Sequence, residues 1–212
     1  RRSSQSAYST PCIYQPNGGQ PELIFTSTAH GITAVDGATG KVKWEMDKVF
    51  RDRCVSSPVM ANGLVIAGAG YGVTGFHYVA VRPGSSEDGS APALVYEVKK
   101  PVPLVPTPLV VGDRLFLWGD NGQVSCLRAD TGELVWRERL EAEFYSSPVC
   151  VNHRIYCVSK EGEVFVLAVS DKLEILARMQ LGEPSFATPA VSGGVMYLRT
   201  YSHLISIGGP KP

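Results

Sequence analysis

The chain has 212 residues, of which 44% are hydrophobic and 19% charged, a composition that supports a packed globular core and excludes disorder. Twenty basic side chains balance twenty acidic ones, so no strong field draws the protein to nucleic acid, anionic lipid or a polyacidic substrate. No apolar run reaches the length of a bilayer-spanning helix, and the opening RRSSQSAYS carries neither an initiator Met nor the apolar core of a signal peptide.

In chain order, residues 1–7 read as a polar, basic lead. A pattern then begins and returns five times. Ser or Thr stands directly before Pro11, Pro58, Pro108, Pro148 and Pro189, at spacings of 47, 50, 40 and 41 residues, and an apolar stretch follows each. Such spacings are those of propeller blades and other repeat units. Proline cannot donate to a central ladder, so each Ser/Thr–Pro marks the start of the first strand of a repeat. Turn signals come next: PNGG (16–19), ANG (61–63), VGD (111–113), VNH (151–153) and SGG (192–194). Second strands are expected at 22–27, 64–69, 114–119, 154–159 and 195–200, and third strands at 31–36, 76–81, 123–128, 163–169 and 203–208. Both sets are rich in Val, Ile, Phe and Tyr. Fourth strands are expected at 41–46, 93–98, 133–138 and 173–178. The glycine-rich GAGYG (68–72) reads as a turn with an insertion.

The fold expected is all-β, a β-propeller of four-stranded antiparallel blades with about five blades present. One domain covers 1–212, with repeats at approximately 8–47, 54–100, 104–140, 144–181 and 185–209, the last lacking its fourth strand. RRSSQSA makes a poor strand, so the expectation is the C-terminal part of a seven- or eight-bladed ring whose remaining, N-terminal blades complete it. A self-closed ring of five blades is the alternative. A linear stack is disfavoured by the open edges it leaves.

One stretch organises each unit. Ala34–Trp44 reads AVDGATGKVKW and returns as Cys126–Trp136, CLRADTGELVW. Asp36 and Thr39 flank a bend that Gly40 finishes, and Asp130, Thr131 and Gly132 read as a shorter version of it. Trp44 and Trp136 then fall at one place on the fourth strand, where Tyr96 and Leu176 are the matching residues. A large apolar side chain there wedges against the next sheet, and an indole N–H can reach an acceptor in the neighbouring turn.

The period, the Ser/Thr–Pro opening and the A-x-D-x-x-T-G-x-x-x-W motif resemble the repeats of the quinoprotein-like, pyrroloquinoline-quinone-type β-propeller family. The resemblance extends over about residues 8–208. Repeat two departs from the pattern with YGVTGFHY and the loop 82–93, and repeat four has SDKLEIL in place of the motif. That family holds quinoprotein alcohol dehydrogenases and a non-enzymatic outer-membrane-assembly lipoprotein. The resemblance implies a periplasmic or otherwise extracytoplasmic location. It also implies what a dehydrogenase would need: a Trp floor under the quinone, a vicinal Cys pair, Ca²⁺ on Glu and Asn or Asp, and an Asp base. The five cysteines, Cys12, Cys54, Cys126, Cys150 and Cys157, include no adjacent pair and no CxxC, and read as small buried apolar residues. Cys150 and Cys157 lie on sequential strands that could bring them face to face. Acidic groups at Glu87 with Asp88, and at Glu138, Glu141 and Glu143, read as solvated surface rather than a Ca²⁺ cage.

His30, His77, His153 and His203 are too dispersed along the repeats for a shared metal or hydrolytic site. No cofactor is expected within this chain, and no catalytic or metal-binding residue is assigned. The candidates are the irregular loops, where propellers bind partners: Arg51 and Arg53, Tyr71, Phe76 and His77, Phe144 and Tyr145, Phe186, and Tyr201 with His203. The function expected is a non-catalytic scaffold that binds a protein or small ligand through its loop faces. The alternative is a fragment of a quinone- and calcium-dependent dehydrogenase acting on alcohols or sugars.

Overall fold

The computed structural model describes residues 7–16, 18–71, 75–85, 88–99 and 102–208. Residues 1–6, Glu87 and 209–212, on which some of the expectations above fall, lie outside the described residues. The described chain holds strands joined by turns, and each sheet is an antiparallel meander in sequence order. Blade one is β1 (Cys12–Tyr14), β2 (Glu22–Ser27), β3 (Gly31–Asp36) and β4 (Val42–Met46). Blade two is β5 (Val59–Ala61), β6 (Leu64–Tyr71), β7 (Gly75–Arg82) and β8 (Ala93–Lys99). Blade three is β9 (Leu109–Val111), β10 (Arg114–Trp118), β11 (Gln123–Arg128) and β12 (Leu134–Arg139). Blade four is β13 (Val149–Val151), β14 (Arg154–Val158), β15 (Glu163–Ala168) and β16 (Ile175–Gln180), and a three-stranded fifth sheet is β17 (Ala190–Ser192), β18 (Val195–Arg199) and β19 (Leu204–Ile207).

The three-residue first strands begin immediately after each Ser/Thr–Pro, where the missing proline N–H costs no ladder bond. They sit innermost, since β1 approaches β5, β5 approaches β9 and β9 approaches β13. The turns after them have the backbone a tight hairpin requires. Asn62 and Gly63, Asn152 and His153, and Gly193 and Gly194 all take positive φ, matching the twist of the flanking strands.

Alternation along the strands gives each sheet two apolar faces, and each junction between sheets is a separate core. Ile24, Ile32 and Trp44 of blade one pack on Val65, Ala67 and Val79 of blade two. Ile66, Tyr78 and Ala80 meet Leu115, Leu117 and Leu127. Phe116, Trp118 and Cys126 meet Ile155, Cys157 and Phe165, and Val158 and Val164 meet Leu198.

The Ser/Thr before each proline does more than open a strand. The backbone N–H of Thr10 donates to Ser57 Oγ at 3.1 Å, and that of Ser57 to Thr107 Oγ1 at 3.1 Å. The N–H of Thr107 donates to Ser147 Oγ at 2.9 Å, and that of Ser147 to Thr188 Oγ1 at 2.9 Å. A girdle of hydroxyls therefore ties every blade to the next at the innermost strands. Nearby serines anchor their own blades: Ser146 Oγ, one position before Ser147, donates to Val158 O at 2.6 Å, and Ser185 Oγ, three positions before Thr188, donates to Arg199 O at 2.6 Å. Ser147→Ala leaves the half-buried Thr107 N–H without its acceptor. It is expected to lower the unfolding free energy by about 1–2 kcal/mol in urea titration, while Ser147→Thr stays within about 0.5 kcal/mol.

The structure corrects three readings of the sequence, the first of them in the repeated motif. Asp36 Oδ1 accepts the Thr39 N–H at 2.7 Å and Thr39 Oγ1 at 2.8 Å, and Gly40 N–H donates to Asp36 O at 2.9 Å with φ +71°. Gly132 N–H donates to Arg128 O at 2.8 Å with φ +74°, so the blade-three turn has the same length rather than a shorter one. Arg128 stands where Asp36 stands, and Asp130 matches Ala38. Thr131 Oγ1 accepts the Glu133 N–H at 3.3 Å, as Thr39 Oγ1 accepts the Lys41 N–H at 3.4 Å.

The second correction concerns Leu176. Each of the four complete blades has a bulge in its fourth strand, and Ala34 pairs with Trp44, Ala80 with Tyr96, Cys126 with Trp136 and Val166 with Ala177. The counterpart of the tryptophans is thus Ala177. Leu176 is the bulged residue and is 45% exposed. The blade-four turn closes from Ala168 N–H to Glu174 O, one residue wider than Arg128 N–H to Glu133 O, which shifts the register by one. Trp136 Nε1 donates to Ser170 O at 3.0 Å and Tyr96 OH to Ala129 O at 2.9 Å, both in the next blade. Trp44 turns instead to Glu22 of its own blade, at 2.9 Å, where blade two has its long loop in place of the motif turn.

The third correction is GAGYG. Gly68 and Gly70 lie inside β6, not in a turn. A Cβ on Gly68 would lie 2.4 Å from the Tyr78 ring, and one on Gly70 1.8 Å from Phe76, so these glycines make room for cross-strand aromatics.

Candidate functional site

The second-to-third-strand loops and the crossovers between blades share one face. Short turns shape it. Asp120, at the tip of the β10–β11 loop, accepts the N–H of Leu104 at 2.7 Å and of Val105 at 3.1 Å, holding the crossover into blade three. One blade on, the N–H of Lys160 donates to Glu143 O at 2.8 Å, and Lys160 Nζ lies 2.6 Å from Glu143 Oε2. That contact holds the Glu143 carboxyl below its usual range and raises Lys160. Lys160 Nζ also sits 4.6 Å over the Tyr145 ring. These loops enclose a cavity of about 460 Å³ lined by Phe76, Val102, Leu104, Val105 and Tyr145, with Asp120, Asn121, Gln123, Glu143 and Lys160 supplying the polar groups.

The loop residues singled out from sequence divide into groups. Phe76 and Tyr145 line this cavity together. Tyr145 packs on Phe186 with ring centroids 5.8 Å apart, and the two are 45% and 55% exposed. Both stand three residues before a repeat proline, as do Tyr8, Val55 and Val105. Tyr201 is exposed on the same face, beside Phe186. Phe144, by contrast, is fully buried between Trp118 and Phe165 and contributes to the core.

Arg51 and Arg53 are exposed at the junction of blades one and two. His77 is held there, its Nε2 3.1 Å from Val49 O and its ring 5.8 Å from Phe50. Tyr71 ends β6. Sequence reasoning missed Leu104, Val105, Asp120, Asn121, Gln123 and Lys160, and took Glu143 for solvated surface. The available signal was the parallel between GDNG (119–122) and SKEG (159–162), which places polar side chains at one repeat position.

His203 belongs to a tight cluster rather than a catalytic relay. Glu183 Oε1 accepts Ser202 Oγ at 2.6 Å and lies 3.1 Å from His203 Nδ1, while Oε2 accepts Thr200 Oγ1 at 2.7 Å. These bonds, those from Ser202 and Thr200 foremost, draw the Glu183 carboxyl down to about 2. Ser202 Oγ also lies 2.9 Å from His203 Nδ1. Serine and carboxylate thus meet the same ring nitrogen, so the imidazole cannot pass a proton from one to the other. The arrangement caps a loop.

Burial raises all five cysteine thiols. All five are free, and Cys150 pairs with Ile155 in the sheet rather than facing Cys157. Burial pushes the thiols of Cys54 and Cys157 up to about 12 and that of Cys126 to about 11. Among the described residues no three His, Cys, Asp or Glu side chains gather as a metal site. Trp44, Trp118 and Trp136 are packed between blades rather than laid as a floor for a flat cofactor.

Residues 99–173, from the end of β8 to just short of β16, match the family model described as outer membrane protein assembly factor BamB. The repeats are β-propeller blades. A stretch of 94 residues is 32% identical to the outer membrane protein assembly factor BamB of Burkholderia pseudomallei (strain K96243), covering 44% of this chain and 24% of that protein. The crystal structure of BamB from Moraxella catarrhalis superposes with a TM-score of 0.71 at 16% identity, over 98% of this chain and 59% of that one. The computationally designed Ika8 protein superposes at 0.70 with 9% identity, over 92% of this chain and 56% of its own. At these identities the two structures speak to the fold alone. The chain spans less than two thirds of the length of these relatives. Among the described residues no helix is long and apolar enough to cross a membrane.

Proposed function

We propose that this chain is a non-catalytic propeller scaffold that binds a protein partner through its loop face. By the names of its relatives, the setting is the assembly of outer-membrane proteins, in an extracytoplasmic compartment. One observation carries the reading. Tyr145 and Phe186 occupy the same repeat position, stack at 5.8 Å and stand about half exposed beside a largely apolar cavity. Exposed aromatics against a concave apolar surface are the usual anchors of protein interfaces. The family match supports the same setting, since it covers blade three and most of blade four, which supply all of the cavity's lining but Phe76. No quinone and no calcium enters this reading.

A photo-crosslinking residue placed at Tyr145 tests it, with one at Asn152 in the β13–β14 turn of the opposite face as control. In cells that carry the gene, Tyr145 is expected to capture a component of the outer-membrane assembly machinery, identified by mass spectrometry, and Asn152 is not. Crosslinks confined to Asn152 would overturn the reading. So would quinone- and Ca²⁺-dependent oxidation of alcohols by the protein.

A further inference from the structure

The cavity between the loops of blades two to four has both flanking blades in place, and its lining is unequal in charge. Phe76, Val102, Leu104, Val105 and Tyr145 form apolar walls. Two carboxylates, Asp120 and Glu143, face one ammonium, Lys160. Each Asp120 oxygen takes one backbone N–H and keeps a further lone pair. Glu143 offers Oε2 to Lys160, and its side chain is 60% exposed.

We propose that this cavity is the anchor pocket for a cationic side chain, arginine or lysine, carried on an otherwise apolar segment of a protein partner. The proposal rests on the protein-binding reading above and names the chemistry of the contact. The apolar walls suit the methylene stem of such a side chain, and the two carboxylates suit its head. A carboxylate in the same place would face Asp120 and Glu143 with only one ammonium already engaged.

Lys160 itself shows that the site accepts a cation. Its ammonium lies between the Glu143 carboxylate at 2.6 Å and the face of Tyr145 at 4.6 Å, the two contacts an incoming arginine would seek. Lys160 is therefore an internal competitor. A residue that only stabilised the loop would weaken any ligand when removed. A competitor, when removed, strengthens a cationic one.

Titration calorimetry on the full chain provides the test, with two acetylated, amidated pentapeptides as probes, Ser-Leu-Arg-Leu-Ser and Ser-Leu-Glu-Leu-Ser. The arginine peptide is expected to bind at least about tenfold more tightly, and the difference should shrink as salt is raised. Lys160→Met should tighten the arginine peptide by about fivefold, and Glu143→Gln should weaken it by about fivefold. Equal binding of the two peptides would overturn the proposal, as would a Lys160→Met protein that binds the arginine peptide no better than the parent. Failure here, with Tyr145 still crosslinking to its partner, removes the cationic anchor and leaves the loop face standing. Success here, with crosslinks only at Asn152, does the reverse.

Discussion

Phe144→Ala is expected to lower the unfolding free energy by about 3–5 kcal/mol, while Tyr145→Ala, one residue on, changes it by less than about 1 kcal/mol. The two side chains leave the same crossover in opposite directions. Phe144 is fully buried, with its ring 5.5 Å from Trp118 of blade three and 5.5 Å from Phe165 of blade four, both in edge-on geometry. Its N–H donates to Asp120 O at 2.9 Å, which fixes the crossover as the ring fixes the core. Truncation removes the transfer free energy of a phenyl group and leaves a void between two sheets that the girdle of hydroxyls keeps from closing. Tyr145 is 45% exposed, and its ring meets Lys160 and Phe186 at the surface. Urea titration of the two variants against the parent reads the difference directly. A loss of under about 1 kcal/mol at Phe144 would mean that the blade-three and blade-four sheets do not pack as described.

That pair also shows where the sequence was legible. Apolar alternation, paired turn residues and the returning Ser/Thr–Pro were enough to place the strands and the blade order, because each is a local signal tied to backbone geometry. Which of two adjacent crossover aromatics turns inward is not local. It depends on how far the next sheet stands from the crossover, which only packing decides. The same limit explains Leu176, where a one-residue difference in turn width moved the register. It explains Asp130 too, where the Asp of the motif was matched by identity although the turn geometry keeps Gly132 and lets the Asp wander. The cavity was still less visible. Asp120, Glu143 and Lys160 are ordinary loop residues in sequence, and their meaning comes from three separate loops converging. The Ser/Thr before each proline read only as a strand start, since its hydroxyl acts on a residue one whole repeat away.

Gly122→Ala is expected to cost about 3 kcal/mol or more and to alter the loop face at the same time. Gly122 has φ +87°, a conformation that L side chains adopt only with strain. The space is also closed. A Cβ there would lie 2.2 Å from Leu140 O and 2.3 Å from Ala142 O, both rigid backbone of the crossover into blade four. Gly122 O in turn accepts the Leu140 N–H at 2.9 Å, so the crossover is seated directly on the glycine. Moving it would shift Glu143 and Tyr145, and with them one wall of the cavity. Gly162 holds the same place one blade on, where its Cβ would meet Glu183 O at 1.8 Å with φ +84°. It serves as the internal comparison. Gly162→Ala should match the loss of stability yet leave the arginine-peptide affinity within about twofold of the parent, whereas Gly122→Ala should lower that affinity by about tenfold. Equal effects of the two variants on peptide binding would show that the cavity does not depend on the crossover that Gly122 supports.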